Sequence, residues 1–152
     1  MSEPRESPRK RSRAAALQVL FALEFARREG RSGDAQEVFE EAGAHFELPE
    51  GARAFAKEIV LGVSEHRAEL DALLAAHARN WRVERMASVD RNVLRIGVWE
   101  LLYSDAPTPV VIDEAVELAR RFGGDRSPSF VNGVLDAVAA TVRAPADEEP
   151  AQ

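Results

Sequence analysis

The side chains best suited to proton transfer or metal ligation in this sequence are three histidines, His45, His66 and His77, and their spacing serves neither purpose. No two stand at i and i+4, the separation that puts a pair of ligands on one helix face. A metal held by them would need carboxylates from distant segments. They read as surface histidines, and no metal site and no cofactor are expected. Cysteine is absent, which removes thiolate nucleophiles, disulfides and Cys-based zinc sites. Asp113, Glu114 and Glu117 cluster where a helical segment opens, and the helix dipole alone accounts for carboxylates there. No partner for acid–base work accompanies them. Gly123-Gly124 reads as a helix terminator more simply than as a phosphate cradle. No Walker loop, nucleophile elbow or GxGxxG pattern occurs. No catalytic residue is expected, and the chain reads as a protein that is not an enzyme.

The cations offer more. Arg9, Lys10, Arg11 and Arg13 bunch where the first helix begins, the end at which the helix dipole disfavours positive charge. With Arg5, and against Glu3 and Glu6, they give residues 1–13 an excess of three positive charges. The rest of the chain then holds an excess of nine negative charges, for a net charge of −6. A basic arm on an acidic body is the asymmetry of a protein with one face turned to a polyanion, although a merely solvated arm accounts for the same charges. A second group, Arg79, Arg82, Arg85, Arg91 and Arg95, crosses a break before the central helix, where Glu84 and Asp90 can pair with some of them. The two segments can neutralise a phosphate backbone jointly if folding brings them together. An aromatic beside such a surface can stack on unpaired bases. Phe130 is the candidate, with a place in the core as its alternative.

Positioning these side chains falls to helices. Leu17, Leu20, Phe21 and Phe25 recur at helical period in a first helix over Arg9 to Arg28, which Gly30 and Gly33 stop. Shorter segments follow: Ala35 to His45, a third helix opening at Pro49-Glu50, and a fourth capped by Ser64. Asn80 and Trp81 mark a break, followed by one turn around Arg82 to Met86. Ser88 is expected to cap a central helix, Val89 to Tyr103, with apolar residues on several sides. A helix from about Val110 to Phe122 should end at Gly123-Gly124 in the left-handed conformation. Ser127-Pro128 reads as N-cap and first position of a last helix reaching about Val142. No strand or hairpin pattern appears. The expected fold class is all-α, about seven helices in two packed sub-bundles. Residues 1–8 are expected to form a flexible arm, 9–143 a helical domain and 144–152 a disordered acidic tail. The apolar stretch Ala14 to Leu23 is broken by Gln18 and falls well short of the ~20 residues that cross a bilayer. No signal-peptide pattern is present, and a cytoplasmic location with no membrane partner is expected.

Several segments carry a resemblance. They are Arg11 to Phe21 (RSRAAALQVLF), Trp81, Val89 to Ile96 (VDRNVLRI), Trp99 to Leu101 (WEL), Pro109 to Arg120 (PVVIDEAVELAR) and Phe130 to Asp136 (FVNGVLD). Over about residues 9–142 the chain resembles the NusB family, and the FVNGVLD run after the IDEAVELA helix is the most specific part. The resemblance implies an all-helical fold of two sub-bundles. It also implies binding to the boxA element of ribosomal-operon transcripts as a heterodimer with NusE, a small-subunit ribosomal protein. That complex helps RNA polymerase resist termination. Carried over by position, the RNA face includes Arg9, Lys10, Arg11, Arg13, Arg91, Ser127, Phe130 and Asn132. Phe21 and Asp90 fall at positions on the NusE-facing side. Each has a competing reading: Phe21 as core, Asp90 as a helix-terminal charge, Asn132 and Gly133 as close-packing residues.

One departure stands out. Arg126 occupies a position before Ser127 where the family often has an acid, which exchanges repulsion of phosphate for attraction. RNA affinity less dependent on NusE is therefore expected. Removing Arg11 and Arg13 together should weaken RNA binding without unfolding the chain. Two other functions compete. One is the accessory RNA-binding domain of a ribosomal-RNA cytosine methyltransferase, although ending at Gln152 without cysteine argues against a complete enzyme of that kind. The other is a helical adaptor that binds only protein. Some NusB-family members are dimers, so a homodimer is a further expectation.

Overall fold

The computed structural model describes residues 7–31, 33–78 and 82–143. The described residues form seven α-helices and one 3₁₀ turn, with no strand among them. The chain divides after Glu65 into two compact units.

The first unit holds α1 (Pro8–Arg28), α2 (Ala35–Gly43) and α3 (Glu50–Glu65). Ser7 starts α1: its hydroxyl accepts the Lys10 backbone N–H, and Pro8 fills a position whose N–H would be unsatisfied. The helix ends in a Schellman motif. Gly30 takes φ +74°, its N–H donates to the Arg27 carbonyl, and the Arg31 N–H donates to Ala26. Asp34 caps α2 by accepting the Glu37 N–H at 2.9 Å. Leu17, Val19, Phe39, Ala56, Ile59 and Val60 are each no more than 1% exposed. The buried Ser12 hydroxyl donates toward the Pro8 and Ala52 carbonyls, both at 2.8 Å, and so ties α1 to α3.

The second unit comprises α4 (Arg67–His77), the 3₁₀ turn Val83–Arg85, α5 (Ser88–Tyr103), α6 (Thr108–Phe122) and α7 (Ser127–Val142). α5 lies at its centre, against α4, α6 and α7, and every residue from Arg91 to Leu101 is buried. Gly97 lets α7 approach closely: a Cβ there would stand 2.7 Å from Leu135 Cδ1. Arg143 finishes α5. Its guanidinium donates to the carbonyls of Leu101 (2.9 Å), Ser104 (2.8 Å) and Ala106 (2.6 Å), supplying donors that the open C-terminal end of a helix lacks.

The helices match their expected positions better than the start and stop signals do. Ser64 does not cap α4: it lies in the last turn of α3, its Oγ buried without a hydrogen-bond partner, and His66 takes the cap position. Ser88 is the first residue of α5 and Ala87 its N-cap. Ser127 is likewise the first residue of α7, after Arg126. Its hydroxyl faces backward and accepts the Gly124 N–H at 3.0 Å, closing the α6–α7 turn. Gly123 is extended, at φ −101° and ψ −166°, and not left-handed. It is required for space: a Cβ would lie 2.6 Å from Ser127 Oγ and 2.8 Å from the Ala119 carbonyl oxygen. Asn80 and Trp81 lie outside the described residues, as do the acidic tail and all of the expected arm before Ser7.

Candidate nucleic-acid interface

In the first unit the basic cluster belongs to the first turns of α1, and packing sorts its members. Arg9 is exposed, with its guanidinium 3.8 Å from the centroid of the Phe55 ring, a cation–π contact that holds the side chain on α3. Lys10 is half-buried. Arg11 donates to the Glu47 carbonyl. Arg13 is only 5% exposed, with its guanidinium 5.5 Å from the same Phe55 centroid. A charge run that looks uniform in the sequence therefore has outward members and inward ones. Farther along α1, Phe21 is half-buried, and Phe25, one turn on, is 58% exposed.

In the second unit a cleft of about 830 Å³ opens between the start of α5 and the α6–α7 turn. Met86, Ala87 and Asp90 line one wall; Arg126, Ser129 and Phe130 line the other. Arg91 sets the first wall. It is 5% exposed, and Nη1 donates to the Met86 carbonyl at 2.5 Å, pinning the end of the 3₁₀ turn to α5. Ser127 sets the second through its bond to Gly124, and at 6% exposure it is itself buried. Arg126 is exposed and Phe130 half-buried, so a cation and an aromatic side chain line the same cleft. Asp90 Oδ1 is buried without a hydrogen-bond partner, at the end of α5 where the dipole favours negative charge.

Of the other arginines that form one basic group in the sequence, Arg95 is 4% exposed and paired with Asp71, whereas Arg82 and Arg85 are exposed. Arg79 lies outside the described residues. Asn132 is exposed, its amide donating weakly to Asp136 at 3.4 Å. Gly133 is exposed too, and a Cβ there would meet nothing within 4 Å, which overturns the reading of both as close-packing residues. A glycine inside a helix costs about 1 kcal/mol relative to alanine, and no contact with the described residues offsets that cost. The exposure of Phe25 and Gly133 is not legible in the sequence, because Phe25 continues the apolar stripe of α1 and Gly133 lies among the many apolar residues of α7.

Among the described residues no group of His, Asp or Glu could hold a metal ion, and no helix is long and apolar enough to cross a membrane. Two helical units bearing outward cations and a cleft walled by arginine and phenylalanine define an all-α recognition protein. A NusB family model matches residues 10–140. The chain is 48% identical over 132 residues to the transcription antitermination protein NusB of Sorangium cellulosum, covering 86% of this chain and 91% of that one. It is 43% identical over 143 residues to the protein of the same name from Myxococcus xanthus, covering 90% and 98%. T. maritima NusB superposes with a TM-score of 0.79 at 36% identity, over 90% of this chain and 94% of that one. A chain in the crystal structure of antitermination factors NusB and NusE in complex with dsRNA gives 0.72 at 29% identity, over 87% and 96%. The chain belongs to the NusB family.

Proposed function

We propose that this chain is an RNA-binding transcription antitermination factor, recognising boxA-type single-stranded RNA of ribosomal RNA operons together with NusE and acting within the RNA polymerase antitermination complex. It works by recognition and not by catalysis. The observation that carries the reading is the cleft of the second unit, where Arg126 and Phe130 offer a phosphate partner and a stacking surface side by side. Family membership and the likeness to a chain solved with NusE and dsRNA support RNA and NusE as the partners.

Burial supports a division of roles in this reading. Arg9, Lys10, Arg126, Phe130 and Asn132 are accessible enough to touch RNA. Arg13, Arg91 and Ser127 are buried and act by positioning the surfaces on which those residues stand, and Arg11 does the same through Glu47. Phe21, extended by the exposed Phe25, and the half-buried Asp90 at the start of α5 form contacts to NusE. The test is titration of a boxA-type single-stranded RNA at rising salt, with wild type and Arg126→Asp, each with and without NusE. Salt-sensitive binding that weakens in the variant, most of all without NusE, is expected. Equal affinities for the two chains would remove Arg126 from the interface. No salt-sensitive binding under any condition would leave a protein-only adaptor.

A further inference from the structure

The α7 wall of the cleft does not stop where the cleft does. Arg126, Ser129 and Phe130 line it, and the next position on that stripe is Gly133, completing the i, i+3, i+4, i+7 pattern of one helix face. From Arg126 to Gly133 this face runs about 10 Å along the helix axis. Gly133 is exposed, helical, and surrounded by open space where a Cβ would stand. Gly97 is the opposite case. There a Cβ would strike Leu135, so packing within the chain excludes any side chain. At Gly133 none of the described residues excludes one, and the helix would gain from it. Asp136 bounds the bare patch farther along α7, where its carboxylate repels phosphate.

We propose that Gly133 is an RNA contact: the sugar–phosphate backbone lies directly on the uncovered backbone of α7, while Phe130 stacks on a base and Arg126 meets a phosphate. The inference rests on the RNA-binding reading above and adds to it a residue whose role is to have no side chain. RNA, in preference to a protein surface, is the occupant because the side chains sharing the face are a guanidinium and an aromatic ring, which pair with phosphate and stack on bases.

The experiment uses the full chain and its Gly133→Ala and Gly133→Leu variants, with a boxA-type single-stranded RNA as probe. Thermal melting, RNA affinity with and without NusE, and NusE affinity are measured. Gly133→Ala should melt about 2–4 °C higher and bind RNA at least about fivefold more weakly, a loss of roughly 1 kcal/mol of binding free energy. Gly133→Leu should bind more weakly still. The slope of affinity against salt should stay as in wild type, because no phosphate-pairing charge is lost. Normal RNA binding by both variants would overturn the inference and leave the proposed function standing. Unchanged RNA affinity with weakened NusE binding would overturn it by assigning the patch to protein. A lower melting temperature in Gly133→Ala would overturn it by showing that the fold itself needs the glycine. Failure of wild type to bind the RNA, even with NusE, would end the proposed function and this inference together.

Discussion

Arg95 of α5 grips Asp71 of α4 with two parallel hydrogen bonds, Nε to one carboxylate oxygen at 2.8 Å and Nη2 to the other at 3.0 Å. Arg95 is 4% exposed, so the pair places inside the protein a guanidinium held by this carboxylate, with the Asn92 amide oxygen at 3.3 Å beside it. Removing the acid strands a buried charge, which is more harmful than removing both partners. Asp71→Ala is expected to destabilise the fold by about 2–3 kcal/mol, below the full cost of breaking a buried pair because water reaches part of Asp71. The double variant Asp71→Ala/Arg95→Met should recover part of that loss. Urea midpoints of wild type and the two variants check this, and a double variant no more stable than Asp71→Ala would contradict it.

Arg91 stands behind one wall of the cleft and Arg126 lines the other, and salt should tell them apart. Arg91 is spent on the Met86 carbonyl and Arg126 stands in the open. Arg126→Ala is expected to reduce the slope of log affinity against log salt by about 1, with little change in stability. Arg91→Ala should leave the slope alone, lower stability by about 2 kcal/mol through the lost charged hydrogen bond, and weaken RNA binding only as the cleft wall loosens. A smaller slope in Arg91→Ala would mean that the guanidinium reaches phosphate after all.

The basic start of α1 should divide in the same way. The expectation that Arg11 and Arg13 can be removed together without unfolding the chain meets their contacts with Glu47 and Phe55, which give both arginines a part in the packing of α1. Arg13→Ala is expected to lower the melting temperature by several degrees, since a buried stem and its ring contact are lost together. Arg9→Ala with Lys10→Ala should weaken RNA binding and flatten its salt dependence, while melting shifts less than in Arg13→Ala. Differential scanning calorimetry beside a salt titration measures both; a silent Arg13→Ala in melting would count against the assignment.

Gly123 is constrained by volume. Gly123→Ala places a methyl group against Ser127 Oγ and the Ala119 carbonyl, so the α6–α7 turn must open. A cost of about 1–3 kcal/mol is expected, with RNA affinity falling because Arg126 and Phe130 are displaced. Adding Ser127→Gly relieves the closest clash and should restore part of the stability. Absence of any rescue would show that the carbonyl contact, and not the serine, sets the limit.

Much of this protein is legible in the order of its residues. Periodic apolar residues and helix punctuation locate all seven helices to within a few residues, because burying an apolar stripe at 3.6-residue period is a local demand. The missing cysteines exclude thiolate nucleophiles and Cys-based zinc sites, and the FVNGVLD and IDEAVELA segments carry the family. What the order of residues does not contain is direction. Arg9 and Arg13 belong to one basic run, yet one is exposed and the other lies inward beside Phe55; Arg91 and Arg126 carry the same charge, yet one braces a turn and the other faces the cleft. Ser127 has the signature of a helix cap and is instead the acceptor that closes the preceding turn. Gly133 has the setting of a packing glycine and has empty space around it. Residue type and period are properties of the chain, whereas whether a charge meets water, a carbonyl or a ring depends on which distant segment packs against it, and only the tertiary structure decided that.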